Sequence, residues 1–184
     1  MNSETTTIRK AVPADREIIK DLWYKAIKDA FDKDALGEVH DPKDELAFKM
    51  DQLDDAFESP DSHYYLLFDE SALVGTIAYG TPPNKGIQKR TDGELSDMVE
   101  IGSLYIDPAA QKKGYGRTLL IFILQTLLDQ GVETVCFDSI IEWSKRIWIR
   151  LFGEPKYRIT SKKHDFEHMI WVVDVQTSIE RLRQ

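Results

Sequence analysis

Leu104-Tyr105-Ile106-Asp107-Pro108-Ala109-Ala110-Gln111-Lys112-Lys113-Gly114-Tyr115-Gly116-Arg117 is the stretch whose reading decides the fold. The apolar run Met98 to Ile106 reads as a strand and breaks at Asp107-Pro108. Two glycines follow. Then comes a helical stretch, Arg117 to Gln130, with Leu119, Leu120, Ile123, Leu124, Leu127 and Leu128 on one face and Gly131 as its stop. The first turn of such a helix carries N–H groups with no partner in the helix and the positive end of its dipole. A glycine without Cβ lets a ligand approach those amides closely. Lys112, Lys113 and Arg117 add positive charge, so the place suits a phosphate or pyrophosphate. Taken alone, the two glycines equally fit a tight strand-to-helix turn that binds nothing. A P-loop is excluded because no Gly-Lys is followed by Ser or Thr. A dinucleotide fingerprint would need glycine where Leu119 stands.

Working outward, Thr5 to Lys10 reads as a first strand, and Asp15 can cap a helix with Ile18, Ile19, Leu22, Trp23, Ala26, Ile27, Ala30 and Phe31 at helical spacing, stopped by Gly37. Asp41-Pro42 opens a second helix through Leu46, Met50, Leu53 and Phe57. His63 to Phe68 and Leu73 to Tyr79 form a hairpin, and Thr81 to Ser96 reads as a loop. Beyond the central helix, Val132 to Phe137 is a strand, Ile141 to Phe152 a helix, and Met169 to Val175 a closing strand, with a short extra strand near Lys156 to Thr160. A strand, a crossover helix and a strand in succession imply a parallel pair. The order β-α-α-β-β-β-α-β-α-β makes an α/β (α+β) fold: one mixed sheet with helices on both faces.

The chain has 184 residues, which suits a single domain over 1–184. With 42% hydrophobic and 30% charged residues it reads as a globular protein, and no stretch is long and apolar enough to span a membrane. One cysteine, Cys136, rules out an internal disulfide and points to a reducing, cytoplasmic setting. The net charge of −8 argues against nucleic acid as a partner. Asp29 to Asp61 holds twelve acids against three lysines, a net −9, which reads either as a solvated helical surface or as a rim that attracts a cationic substrate. Cys136 reads as a buried small hydrophobe, and the histidines show no metal-ligand spacing with it, so no metal is expected.

The run Leu-Tyr-Ile-Asp-Pro-x-x-Gln-Lys-Lys-Gly-Tyr-Gly-Arg-x-Leu-Leu resembles the acetyl-CoA-binding signature of the GNAT (Gcn5-related N-acetyltransferase) superfamily, with Gln111, Gly114 and Gly116 at its defining positions. The deduced element order matches that fold over almost the whole chain. The resemblance implies an acetyl-CoA-dependent transfer to an amine, with the coenzyme pyrophosphate on the amides of Gln111, Lys112, Lys113, Gly114, Tyr115 and Gly116. It also implies that Leu104 and Ile106 offer main-chain hydrogen bonds to the pantetheine arm. The strands before and after the loop would splay to admit the thioester. A main-chain N–H near Leu104 or Tyr105 would polarise its carbonyl.

An attacking amine must lose its proton, and Glu100, four residues before Leu104 where this family often places a carboxylate, is the candidate base. A solvent-facing or salt-bridged strand residue is the equal alternative. The family's usual acid is a tyrosine in the last helix, but Trp148 stands there, and indole cannot serve as the donor. Tyr157 or Tyr105 are substitutes, each also readable as a packed aromatic, and the thiolate could leave without an acid. Ser139 is a further candidate coenzyme contact. Three readings follow: an N-acetyltransferase acting on an amine, a non-catalytic acyl-CoA sensor on the same fold, and a structural interaction domain. Exposed edge strands would also suit a homodimer.

Overall fold

The computed structural model describes residues 6–34, 41–160 and 167–184. The chain runs β1 (Thr6–Lys10), α1 (Arg16–Lys33), α2 (Pro42–Glu58), β2 (Ser62–Asp69), β3 (Ala72–Gly80), α3 (Lys85–Arg90), β4 (Val99–Ile106), α4 (Tyr115–Asp129), β5 (Thr134–Ser139), α5 (Glu142–Phe152), β6 (Tyr157–Thr160), β7 (Glu167–Asp174) and α6 (Val175–Arg183), with 3-10 turns at Pro13–Asp15 and Pro108–Ala110. Seven strands form one mixed sheet in the order β1-β2-β3-β4-β5-β7-β6. β4 and β5 are parallel, while the β1/β2, β5/β7 and β6/β7 pairs are antiparallel. The mixed α/β fold expected from the element order is therefore present.

The chain divides into two compact units. The first holds Met1–Ala78 and Ser103–Leu120. In it, α1 and α2 lay one stripe each, with Ile19, Leu22, Trp23, Ile27, Phe31, Leu46, Met50 and Leu53 buried together with Leu66 of β2. Trp23 is fully buried, and a side chain of that size contributes roughly 3 kcal/mol by leaving water. The other face of β3 takes the start of α4. A Cβ added at Gly75 would lie 2.7 Å from Ile106 Cδ1 and 3.0 Å from Leu119 Cδ1, so any larger residue would have to displace the side-chain ends of β4 and α4 packed there.

The second unit holds Tyr79–Gly102 and Ile121–Gln184. On one face of its strands Phe137, Met169 and Trp171 pack with Trp148, Ile149 and Phe152 of α5. Opposite, Ile87 of α3, Leu95, Cys136 and Ile170 form a smaller core that Tyr157 and Ile159 cover. The β4–β5 ladder is short: Val99 pairs with Val135 and Glu100 with Cys136. From Phe137 to Ser139, β5 pairs with Trp171, Ile170 and Met169 of β7.

Two elements differ from the expectation. The loop 81–96 contains α3, whose N-terminus Asn84 caps by accepting from Ile87 N at 3.0 Å. The chain does not close on a strand: α6 follows β7, started by Asp174, which accepts from Thr177 N at 2.7 Å, and buried through Val175, Ile179 and Leu182. The Asp41 cap is as expected, its carboxylate accepting from Lys43 N at 2.8 Å. The Gly37 stop lies outside the described residues. Asp15 starts α1 without capping it. Its buried carboxylate takes two bonds from the Arg9 guanidinium, each 2.7 Å, and one from Val12 N at 2.9 Å.

The Arg9 guanidinium, with help from the Val12 amide, holds the Asp15 carboxyl below its ordinary pKa against the opposing effect of burial. A depressed pKa gives stability that is present above the unfolded value and is lost as pH falls through the folded one. Asp15→Asn should therefore cost about 1–3 kcal/mol at neutral pH. Denaturant unfolding along a pH series should show the difference from wild type shrinking toward low pH.

Candidate functional site

The coenzyme loop expected from the sequence lies wholly in the first unit. β4 ends at Ile106, and Asp107 closes the strand by donating its N–H to Val74 O at 2.9 Å. Main-chain groups alternate sides along a strand, so Tyr105 shares Asp107's side toward β3. Leu104 and Ile106 consequently present their N–H and C=O groups to the edge away from β3. Asp107 also accepts from Ala109 N at 2.9 Å and so starts the short turn at Pro108–Ala110.

After Gln111 the backbone turns left-handed twice, at Lys112 (φ 66°) and Gly114 (φ 90°). A β-carbon at Gly114 would meet nothing within 4 Å, so it is the backbone conformation rather than space that calls for glycine there. At Gly116 an added Cβ would touch only Ile106 Cγ1 at 3.8 Å, an ordinary contact. The Gly114 carbonyl accepts from Thr118 N at 3.0 Å and so begins α4. The amides just ahead of Thr118 consequently have no helical carbonyl to reach. Lys112 and Lys113 are exposed beside them. Left-handed residues ahead of a helix start turn successive N–H groups toward one side, a setting that suits an anion.

Side chains of the loop are held from beneath. The Gln111 amide oxygen accepts from Lys33 Nζ at 3.1 Å, and its nitrogen donates to Asp29 at 3.4 Å. Tyr115 turns inward, 6% exposed, and its hydroxyl donates to Asp69 at 2.6 Å, leaving its amide as its contribution to the loop. Arg117 is exposed in the first turn of α4.

The residues expected to move protons lie in the second unit. Glu100 pairs with Cys136 across the parallel ladder. Its two carboxylate oxygens accept from Asn84 N at 2.6 Å and Asn84 Nδ2 at 2.7 Å. It is thus tied to the start of α3. Burial, reinforced by the Glu100 and Asp138 carboxylates, pushes the Cys136 thiol up to about 12, which keeps it protonated and unreactive. Tyr157 packs on the Cys136 cluster. Burial first, and then the neighbouring Glu94 carboxylate, raise its phenol pKa, while Lys156 opposes the shift. Trp148 is a packed aromatic, 5.2 Å from Phe137 and 5.9 Å from Phe152 between ring centroids. Ser139 organises the start of α5: its hydroxyl accepts from Ile141 N at 3.2 Å and bonds the Ser144 hydroxyl.

Other groups were not singled out from the sequence. Lys33 and Asp29 reach the loop from α1, 78 and 82 positions away. The buried His168 ring bonds Asp138 through Nε2. Their only sequence signal is helical or strand placement. Among the described residues no group of three or more His, Cys, Asp or Glu side chains is disposed to hold a metal ion, and no helix is long and apolar enough to cross a membrane.

A family model described as the acetyltransferase (GNAT) family matches residues 23–139, which include the loop and Glu100. No curated protein matches the chain. Solved structures of similar fold include a protein assigned to the GNAT acetyltransferases from Desulfovibrio desulfuricans, 14% identical with a TM-score of 0.68 over 93% of this chain and 99% of that one. Another is the PaiA N-acetyltransferase of Thermoplasma acidophilum in complex with coenzyme A, 15% identical with a TM-score of 0.66 over 91% and 98%. A third is FeeM, an N-acyl amino acid synthase from uncultured soil microbes, 14% identical with a TM-score of 0.63 over 94% and 93%. At these identities the likeness is one of fold.

Proposed function

The chain belongs to the GNAT acetyltransferase family, and we propose that it is an N-acetyltransferase, one domain over 1–184, that moves an acetyl group from acetyl-CoA to an amine. The observation that carries this reading is the left-handed pair Lys112 and Gly114 running into the open first turn of α4. In this reading the amides of Gln111 to Gly116 take the coenzyme pyrophosphate, with Lys112, Lys113 and Arg117 supplying charge. The Leu104 carbonyl and the edge groups of Ile106 take the pantetheine amides, and the Leu104 N–H faces the thioester carbonyl. Coenzyme A in the Thermoplasma relative supports the same cosubstrate here.

Transfer is direct. The neutral amine attacks the thioester carbonyl carbon, a C–N bond forms, the C–S bond breaks, and the sulfur leaves as thiolate. Glu100 takes the amine proton, directly or through water, with Asn84 fixing its orientation. Tyr157 is the candidate source of the proton that the thiolate gains. No covalent enzyme intermediate is needed, and Cys136, buried and protonated, does not provide one. The acceptor we assign is a cationic small molecule or a peptide amine, drawn by the acidic residues of α1 and α2, in a reducing, cytoplasmic setting. Part of that charge is answered locally, by Lys33 on Asp29, Lys28 on Asp32 and Arg16 on Asp54. A second reading, a non-catalytic acyl-CoA sensor, draws on one observation: Trp148 is locked among aromatics where the resemblance places an acid.

Three outcomes test this. Gly116→Asp, which the fold tolerates, should weaken coenzyme A binding at least about tenfold, or 1.4 kcal/mol, by calorimetry. Unchanged affinity removes the loop assignment. Glu100→Gln should lower kcat by about 100-fold or more while coenzyme affinity holds. Tyr157→Phe measured beside it loses turnover to a similar degree if the phenol is the acid and stays near wild type if it only packs. Thiol release across a panel of amines should favour polyamine and lysine-like acceptors. A preference for anionic acceptors contradicts the charge argument, and binding without release on every acceptor favours the sensor.

A further inference from the structure

Ser103 lies within β4 yet has a left-handed backbone, φ 50°, the one such residue among the described strand residues. A residue with a β-carbon holds that conformation inside a strand only where its surroundings enforce it. The enforcement is visible. Thr76 Oγ1 donates to the Ser103 carbonyl at 2.9 Å, and Trp23 Nε1 donates to Thr76 Oγ1 at 2.8 Å. Trp23 and Thr76 are fully buried, so the two bonds have no competing water. The Trp23 ring also packs on Tyr105, 5.6 Å between centroids, and on Tyr64 at 5.9 Å. One α1 side chain thus bears on β4 from both sides of Leu104: on Ser103 through Thr76, and on Tyr105 directly.

The consequence lies in the direction of the main chain. A left-handed residue interrupts the regular alternation of a strand and re-aims the groups that follow. Leu104 is the next residue, and its N–H points to the edge away from β3. We propose that Trp23 and Thr76 are positioning residues for the transfer reaction: their two-bond relay holds the turn at Ser103, and with it the aim of the Leu104 N–H at the acyl carbonyl. The inference rests on the transferase reading and goes beyond it in giving a role to two residues that touch neither substrate.

The relay has a chemical requirement at each link. Thr76 must both accept and donate, so valine, of the same shape, removes both bonds. Serine keeps them. Phenylalanine at position 23 keeps an aromatic ring but loses the indole donor.

The test uses the full chain. In the free protein, Thr76→Val should speed amide hydrogen exchange at Tyr105 and Asp107, whose N–H groups face β3, relative to the rest of the first unit, and Thr76→Ser should restore it. With acetyl-CoA, Thr76→Val should lower kcat at least about tenfold, since a misplaced oxyanion donor loses part of the 10²–10³ that such a donor supplies. The acetyl-CoA dissociation constant should stay within about twofold of wild type, because the pyrophosphate loop is untouched. The carbonyl stretch of the bound thioester should shift toward its value in solution. Trp23→Phe should move the same observables in the same direction and carries the test if Thr76→Val does not fold. Unchanged exchange and unchanged kcat overturn the proposal. A kcat loss matched by an equal loss of acetyl-CoA affinity also overturns it, since that marks general damage. Failure of the wild-type protein to transfer acetyl groups overturns the transferase reading, and the catalytic role of the relay with it. The exchange measurement in the free protein then shows whether the relay shapes β4 at all.

Discussion

A helix begins with N–H groups that its own carbonyls cannot reach, and at α4 those groups are gathered rather than covered. Gly114 gives its carbonyl to Thr118, and the amides ahead of that bond have no helical carbonyl to reach. Three other helices meet the same constraint with a side chain: Asp41 for α2, Asn84 for α3 and Asp174 for α6 each accept from an amide of the first turn. α4 instead follows a left-handed loop flanked by exposed lysines. That difference between helix starts is the physical basis for placing an anionic ligand at this one.

The rest of the first unit serves that placement. Gly75 lets β3 and α4 approach until side chains touch. Asp107 ends β4 by bonding Val74, which orients Leu104 and Ile106 toward the open edge. Gln111 is tied to Lys33 and Asp29 of α1, so the loop and the acidic helix are mechanically joined. Trp23 fills the space beneath β4 and reaches Ser103 through Thr76. Within the second unit, the two oxygens of Glu100 rest on Asn84. That arrangement fixes the carboxylate's direction, which the proposed role of base requires before its acidity matters.

What could be read from the chain was local. The loop 104–117, the α1 and α2 stripes and the Asp41 cap depend on spacing of a few residues, and they appear where spacing puts them, except that Ile18 of the α1 stripe is exposed. α6 was also legible in principle, because Asp174, Val175, Ile179 and Leu182 form a cap and a stripe, but the apolar strand before it hides the change of period. The remaining site contacts were not legible. Trp23 meets Thr76 across 53 positions, Thr76 meets Ser103 across 27, and Glu100 meets Asn84 across 16. No periodicity records such pairings, since each depends on which strands become neighbours. The charge of α1 and α2 was legible as a sum, while its partial neutralisation by Lys28, Lys33 and Arg16 depended on geometry.

The claim on which the account turns is that the amides between Gln111 and Arg117 receive the coenzyme pyrophosphate. Amide chemical shifts of the labelled protein, followed during titration with coenzyme A and separately with pantetheine, test it most directly. The account predicts saturable shifts at residues 112–117 with coenzyme A, absent with pantetheine, which lacks the pyrophosphate. Equal responses to both ligands, or none at these residues while coenzyme A binds, would contradict it.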